Sequence, residues 1–199
     1  MQNGDLGVAY LRKSMKGESL LCMPYLVRSS DEGNTFSAPV CCAAEDGYYV
    51  VNNDRLVRLK SGRILLPAAY HGESGHRARA GVLKVLYSDD DGASWKIISK
   101  EYELPHPENS GTGLQETCVY QHDDGDILSL SRTDRLCQYE SHSSDNCETW
   151  GEIYPNPYFS APASPLTMKR ACGYTIAVWN PIPNYAGRDQ TGTWGRTPL

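Results

Sequence analysis

One glutamate and two arginines stand at intervals that could bring a carboxylate and two guanidiniums around a single ligand. Glu116 lies in Leu114-Gln115-Glu116-Thr117, and Arg132 follows sixteen residues later at the end of the apolar run Ile127-Leu128-Ser129-Leu130-Ser131. Arg196 comes a further 64 residues on, in Gly195-Arg196-Thr197-Pro198. An arginine that closes an apolar strand points where water or a ligand can pair with it, and its planar fork matches a carboxylate with two parallel N–H bonds. The chemistry on offer is capture of an acidic ligand. A second polar group, Asn53, Asp54 and Arg55 with His71 some way beyond, could contact hydroxyls or an N-acyl group. Equally, Asp54 and Arg55 could pair with one another or cap a turn.

Other chemistries find no residues. Seven cysteines occur without a C-x-x-C pair or regular spacing to histidine, so a zinc site is not expected, and no phosphate loop or Ser-His-Asp order is present. No cofactor is expected. The odd cysteine count and the adjacent Cys41-Cys42 pair suit buried, reduced thiols better than a disulfide framework. His76, His106, His122 and His142 read as loop residues, and Asp89 and Asp91, beside Asp90, as solvated. A net charge of -5 argues against nucleic acid as a partner, and no stretch reaches the ~20 apolar residues of a membrane helix. The first residues lack a basic patch followed by an apolar run, so no targeting signal is read; the default is cytoplasmic, with secretion open if residues precede Met1. The oligomeric state is not legible. Tyrosine is abundant, 13 residues with 4 Trp against 2 Phe, which suits β-sheet faces and polar, sugar-like ligands.

Positioning these side chains falls to a repeat. Ser29-Ser30-Asp31-Glu32-Gly33-Asn34-Thr35-Phe36, Ser88-Asp89-Asp90-Asp91-Gly92-Ala93-Ser94-Trp95 and Ser143-Ser144-Asp145-Asn146-Cys147-Glu148-Thr149-Trp150 share one pattern, Ser-x-Asp-x-(Gly)-x-(Ser/Thr)-aromatic. In such a turn the Asp accepts backbone N–H bonds, the Gly takes a positive φ, and the ring packs inward as the next strand begins. Cys147 stands in the glycine place, which predicts either backbone strain or a different turn. Strand signals fill the intervals: 54–59, 64–70, 82–87 and 95–98 around the second copy, and 117–120, 127–131, 138–141 and 150–153 around the third. Two strands precede the first copy (6–11, 20–27) and two follow the last blade (164–169, 174–179). The expected fold is all-β, about three and a half blades of a propeller in one domain. The blades are an incomplete one over 1–45, complete ones over 52–103 and 115–156, and an incomplete one over 162–199. Uncovered sheet edges predict that the chain is poorly soluble, dimeric, or completed by further sequence. Aligning the hairpin glycines Gly62, Gly125 and Gly173 puts Asn53, Glu116 and Ser164 at equivalent strand starts. Glu116 and Arg132 then share one rim, opposite the repeated turns.

The octapeptides resemble the Asp-box (BNR) repeat of the sialidase, or neuraminidase, superfamily, whose fold is a six-bladed β-propeller. The stretch Tyr48-Tyr49-Val50-Val51-Asn52-Asn53-Asp54-Arg55-Leu56, with Ser61-Gly62-Arg63-Ile64, is similar to bacterial sialidase-like proteins. What the resemblance implies is an exo-sialidase glycoside hydrolase that removes a terminal sialic acid. Glu116 would activate a tyrosine nucleophile, and Arg132 and Arg196 would be two of three arginines gripping the substrate carboxylate. It places the third arginine and an acid/base aspartate before Met1 and the tyrosine beyond Leu199. These 199 residues alone are therefore expected not to hydrolyse a sialoside. A non-catalytic glycan-binding propeller, or one acting on another acidic sugar such as a uronic acid, stays open.

Overall fold

β-branched and aromatic residues bounded by Gly, Asp and Ser turns make strands, and the computed structural model, which describes residues 1–73 and 79–181, folds them into four antiparallel sheets. The first contains β1 (Leu6–Lys16), β2 (Ser19–Ser29) and β3 (Val40–Cys41). In the second, β4 (Tyr49–Val50) and β5 (Val57–Arg58) both pair with β6 (Ile64–Tyr70), followed by β7 (Val82–Ser88) and β8 (Lys96–Ile97). The third carries β9 (Gln115–Gln121), β10 (Ile127–Arg132), β11 (Cys137–Ser143) and β12 (Tyr154–Ser160) in sequence order, and β13 (Thr167–Ala171) pairs with β14 (Tyr174–Val178) in the fourth. No α-helix occurs among the described residues. The sheets are the blades of a partial propeller of the sialidase type, about three and a half of them.

Alternation along each strand supplies two faces, and each face meets the next sheet. Every residue of β6 is buried: Ile64, Leu66, Ala68 and Tyr70 join Leu21, Met23, Leu26 and Trp95 between the first and second sheets, while Leu65 joins Leu83, Val119, Ile127 and Trp150 between the second and third. Cys118, Leu128 and Leu130 pack on Leu166 and Met168 between the third and fourth. No described sheet packs against β1, which is exposed along almost its whole length.

All three octapeptides fold alike. Asp31 accepts from the Thr35 N–H at 2.9 Å and the Thr35 hydroxyl at 2.7 Å, and the Ser29 hydroxyl accepts from the Gly33 N–H at 2.8 Å. Asp90 and Asp145 repeat this with Ser94 and Thr149. The bonds from Thr35 and Ser29 pull Asp31 down to about 2, and those from Ser94 do the same for Asp90. Cys147 keeps the same turn rather than a different one: its φ is 67°, against 90° for Gly33 and 82° for Gly92. Its fully buried thiol joins the core beside Trp150, which offsets the left-handed strain. Trp95 and Trp150 are buried as expected, but Phe36 is 51% exposed because no described sheet covers it.

Several expectations are corrected. The fourth strand of the third sheet starts at Tyr154 rather than Trp150, and it carries Pro155 and Pro157, which an edge strand tolerates. His142 lies within β11 and pairs with Asp126 at 2.6 Å, so it is no loop residue. Cys22, Cys42, Cys118 and Cys147 are buried, with burial pushing the Cys42 and Cys147 thiols up to about 12, whereas Cys172 is exposed. Asp89 and Asp91 are not simply solvated. Arg63, 9% exposed, grips Asp89 through Nε (2.7 Å) and Nη2 (3.1 Å) and Glu148 through Nη1 (2.5 Å), and Asp91 pairs with Arg58. Arg63 thereby ties two successive repeat turns on one rim. Its carboxylate partners are half exposed, so water screens the pairs. Arg63→Met is expected to lower stability by about 2 kcal/mol, measured by urea unfolding, chiefly from the lost charge-assisted bonds.

Candidate functional site

The opposite rim is shaped by two departures from regular strand. Pro67, with no N–H to offer, sits in the middle of β6. The inner edge of that sheet pairs Val50 with Ala69 and resumes with Val57 opposite Leu65, so residues 51–56 face only 66–68 and are thrown out as an excursion. Asp54, Arg55 and Leu56, expected in the first strand of the blade, belong to it. Asn53, with φ 61°, supplies the left-handed turn that asparagine tolerates.

In the third sheet Leu130 faces Cys118 but Arg132 faces Gln115, so Glu116 and Thr117 stand opposite Ser131 alone. This is a β-bulge, tied by the Thr117 and Ser131 hydroxyls at 2.8 Å. Glu116 takes a φ of 46°, a conformation that costs a non-glycine residue roughly 1–3 kcal/mol. Neighbours on a regular strand face opposite ways. Across the bulge, Gln115 lines a cleft while Glu116 reaches Asn52 and Arg132 of the same lining.

That cleft encloses about 590 Å³ and is lined by Asn52, His71, Arg79, Thr112, Gln115 and Arg132, among others. Glu116 sits behind this lining, against Asn52 and Arg132, with a side chain only 12% exposed. Its Oε1 accepts from Asn52 Nδ2 at 3.2 Å, and its Oε2 lies 3.3 Å from Arg132 Nη1 without a hydrogen bond. Among the described residues the Arg132 guanidinium makes no hydrogen bond, and its buried Nε is left without a partner. His71 follows β6 and is buried, its Nδ1 3.0 Å from the Arg79 carbonyl and its Nε2 3.3 Å from Gln115 Nε2.

The structure thus brings Glu116, Arg132 and His71 to one place. It does not bring Asn53 and Asp54 there: they line a separate cavity of about 220 Å³ against β1, and Asp54 pairs with Lys169 at 2.9 Å. Arg55 is 3% exposed and reaches the Leu166 carbonyl (3.0 Å) and the Thr167 hydroxyl (3.3 Å), so it neither pairs with Asp54 nor sits open on the rim. Burial lowers its pKa from the ordinary arginine value, with Cys118 and Glu116 opposing that shift. Among the described residues its Nε and Nη2 have no hydrogen-bond partner. Arg196 and His76 lie outside the described residues. Asn52, Gln115, Thr112 and Arg79 were not singled out from the sequence. Asn52 and Gln115 each adjoin a residue that was, and only the excursion and the bulge, which strand alternation cannot register, turn them into the cleft.

A family model described as a BNR repeat-like domain matches residues 1–199. No curated protein matches the chain. Among solved structures, a protein of unknown function from Dyadobacter fermentans superposes with a TM-score of 0.64 at 19% identity over 86% of this chain and 52% of its own. A leech intramolecular trans-sialidase, complexed with 2,7-anhydro-Neu5Ac, gives 0.56 at 18% identity over 87% of this chain and 30% of its own. A Penicillium chrysogenum alpha-L-arabinanase, complexed with arabinobiose, gives 0.53 at 17% identity over 82% of this chain and 49% of its own. The chain spans about half or less of these proteins, and at such identities the likeness is one of fold. The family model, which matches the whole chain, shows that this chain belongs to the BNR repeat-like domain family.

Proposed function

We propose that the cleft over Glu116 binds a carboxylated sugar, and that the chain is part of a sialidase-type glycoside hydrolase that releases a terminal sialic acid. The observation that carries this reading is the Arg132 guanidinium, which lines the cleft with no hydrogen bond among the described residues. A guanidinium about a quarter exposed, ion-paired to Glu116 on one side but making no hydrogen bond among the described residues, is matched by a planar anion, and a ligand carboxylate accepts two N–H bonds from such a fork. Glu116, 3.3 Å behind it, keeps that charge in place.

In the reaction so proposed, Arg132 orients the sugar by its carboxylate and the polar side chains around it take hydroxyls. Glu116 receives the proton of a tyrosine hydroxyl as that oxygen bonds to the anomeric carbon and the glycosidic C–O bond breaks, the leaving oxygen taking a proton from the acid/base aspartate. Water then displaces the tyrosine oxygen, which recovers its proton from Glu116. The tyrosine, the acid/base aspartate and a further arginine are assigned to none of the described residues. Arg196 is proposed as a second carboxylate ligand. The complex of a similar fold with 2,7-anhydro-Neu5Ac supports a carboxylated ligand for this one.

Calorimetric titration of the chain with N-acetylneuraminic acid and with its methyl ester tests the reading. The free acid is expected to bind at least about tenfold tighter, as loss of a charge-assisted pair dictates. Equal affinities, or no binding of the acid, contradict the proposal. Tighter binding of glucuronic acid than of N-acetylneuraminic acid moves the substrate to the uronic acids.

A further inference from the structure

We propose that Gln115 is a specificity-determining residue of this cleft, locked by His71 so that its amide oxygen faces the ligand and accepts from a sugar hydroxyl or an N-acyl N–H. The proposal rests on the sugar-binding reading above and deepens it.

The orientation of the amide follows from its partners. One atom of the Gln115 amide lies 2.8 Å from the Thr112 carbonyl oxygen, which can only accept, so that atom is the nitrogen. Its other hydrogen points to His71 Nε2 at 3.3 Å. His71 Nδ1 lies 3.0 Å from the Arg79 carbonyl, another pure acceptor, so Nδ1 carries the ring proton and Nε2 of the neutral ring is bare. A directed relay results: Gln115 donates to His71, and His71 donates to the Arg79 backbone. Both amide hydrogens are consumed. Oε1 is left, neither bonded to a described residue nor among the atoms sealed from solvent, on a side chain that lines the cleft.

The backbone around this amide is built to fit it. Gly81 and Gly113 form a parallel bridge, with the Gly81 N–H donating to the Thr112 carbonyl (2.9 Å) and the Leu114 N–H to the Gly81 carbonyl (2.8 Å). A Cβ on Gly81 would come within 2.2 Å of Gln115 Nε2, and one on Gly113 within 2.2 Å of the Gly81 carbonyl oxygen. The amide therefore occupies space that only glycine leaves open. A cleft with Arg132 for an anion and Gln115 Oε1 for a neutral donor recognises a ligand at two chemically different points. A ligand that presents an acceptor to Oε1 is rejected.

The test pairs protein and ligand deletions. Affinities are measured for methyl N-acetyl-α-neuraminide and for analogues each lacking one donor, either the 4-, 7-, 8- or 9-hydroxyl or the acetamido N–H. On the wild-type chain one analogue is expected to bind about tenfold more weakly than the parent. That penalty should vanish in Gln115→Leu and fall below about threefold in His71→Phe, whereas a merely structural role weakens every ligand by one common factor. Independently of any variant, nitrogen-15 spectra of the wild-type chain should show the His71 ring protonated at Nδ1. An Nε2-protonated ring overturns the relay, and a penalty unchanged in Gln115→Leu overturns the assignment. If the wild-type chain binds none of the sialosides, the carboxylated-sugar reading falls and this proposal with it. If they bind with no analogue coupled to Gln115, only this proposal falls.

Discussion

Replacing Arg132 with alanine is expected to weaken binding of N-acetylneuraminic acid about 100-fold while changing binding of its methyl ester less than about threefold. The asymmetry follows from the chemistry of the pair. A guanidinium fork and a carboxylate exchange two charge-assisted bonds in a cleft partly screened from water, and the ester keeps the shape of the ligand but not its charge. Arg132→Lys keeps the charge and loses the planar fork, so its affinity for the acid should fall between those of the wild type and the alanine variant. Removing the guanidinium also takes away the ion-pair partner of Glu116, which is 12% exposed and keeps its hydrogen bond from Asn52. Thermal unfolding of the variant, recorded alongside the titrations, separates that cost from the binding effect. Equal losses for acid and ester would mark Arg132 as a structural arginine.

The largest stability effect is expected at the aromatic position of the repeat, and only where a sheet covers it. Trp150 is 4% exposed among Leu83, Leu104 and Tyr139, and Trp95 is 9% exposed among Leu26, Ile64 and Leu86. Truncating either to alanine removes a large buried ring and should cost ~3–5 kcal/mol in urea unfolding. Phe36 occupies the same place in the first copy but is half exposed, so Phe36→Ala should cost under ~1 kcal/mol. A loss at Phe36 as large as at Trp150 would show that the turn itself, rather than the packing of its ring, needs the aromatic residue.

The blades were legible because their repeat is written twice, in the octapeptides and in the alternation between them. Asp31, Asp90 and Asp145 make the same local bonds in each copy, independent of anything distant in sequence. The meeting of Glu116 with Arg132 was legible for a related reason: antiparallel neighbours joined by a hairpin bring the start of one strand to the end of the next. What strand periodicity could not register is the break in it. The 51–56 excursion and the Glu116 bulge each insert residues that follow no alternation, and these insertions decide that Asn52 and Gln115 face the cleft while Asn53 and Asp54 face another cavity. Arg55 shows the same limit. Residues 52–54 just before it are exposed, yet it is buried because its partners, Leu166 and Thr167, lie where a different sheet begins. Charge pairing across blades was equally hidden, since nothing near Asp89 in sequence points to Arg63.

The most direct test of the central claim is a crystal structure of the chain soaked with N-acetylneuraminic acid. The account predicts the sugar in the cleft between the second and third sheets, with its carboxylate oxygens about 3 Å from the Arg132 guanidinium nitrogens, above Glu116. A sugar seated in the cavity against β1, or one in the cleft with its carboxylate turned away from Arg132, would contradict it.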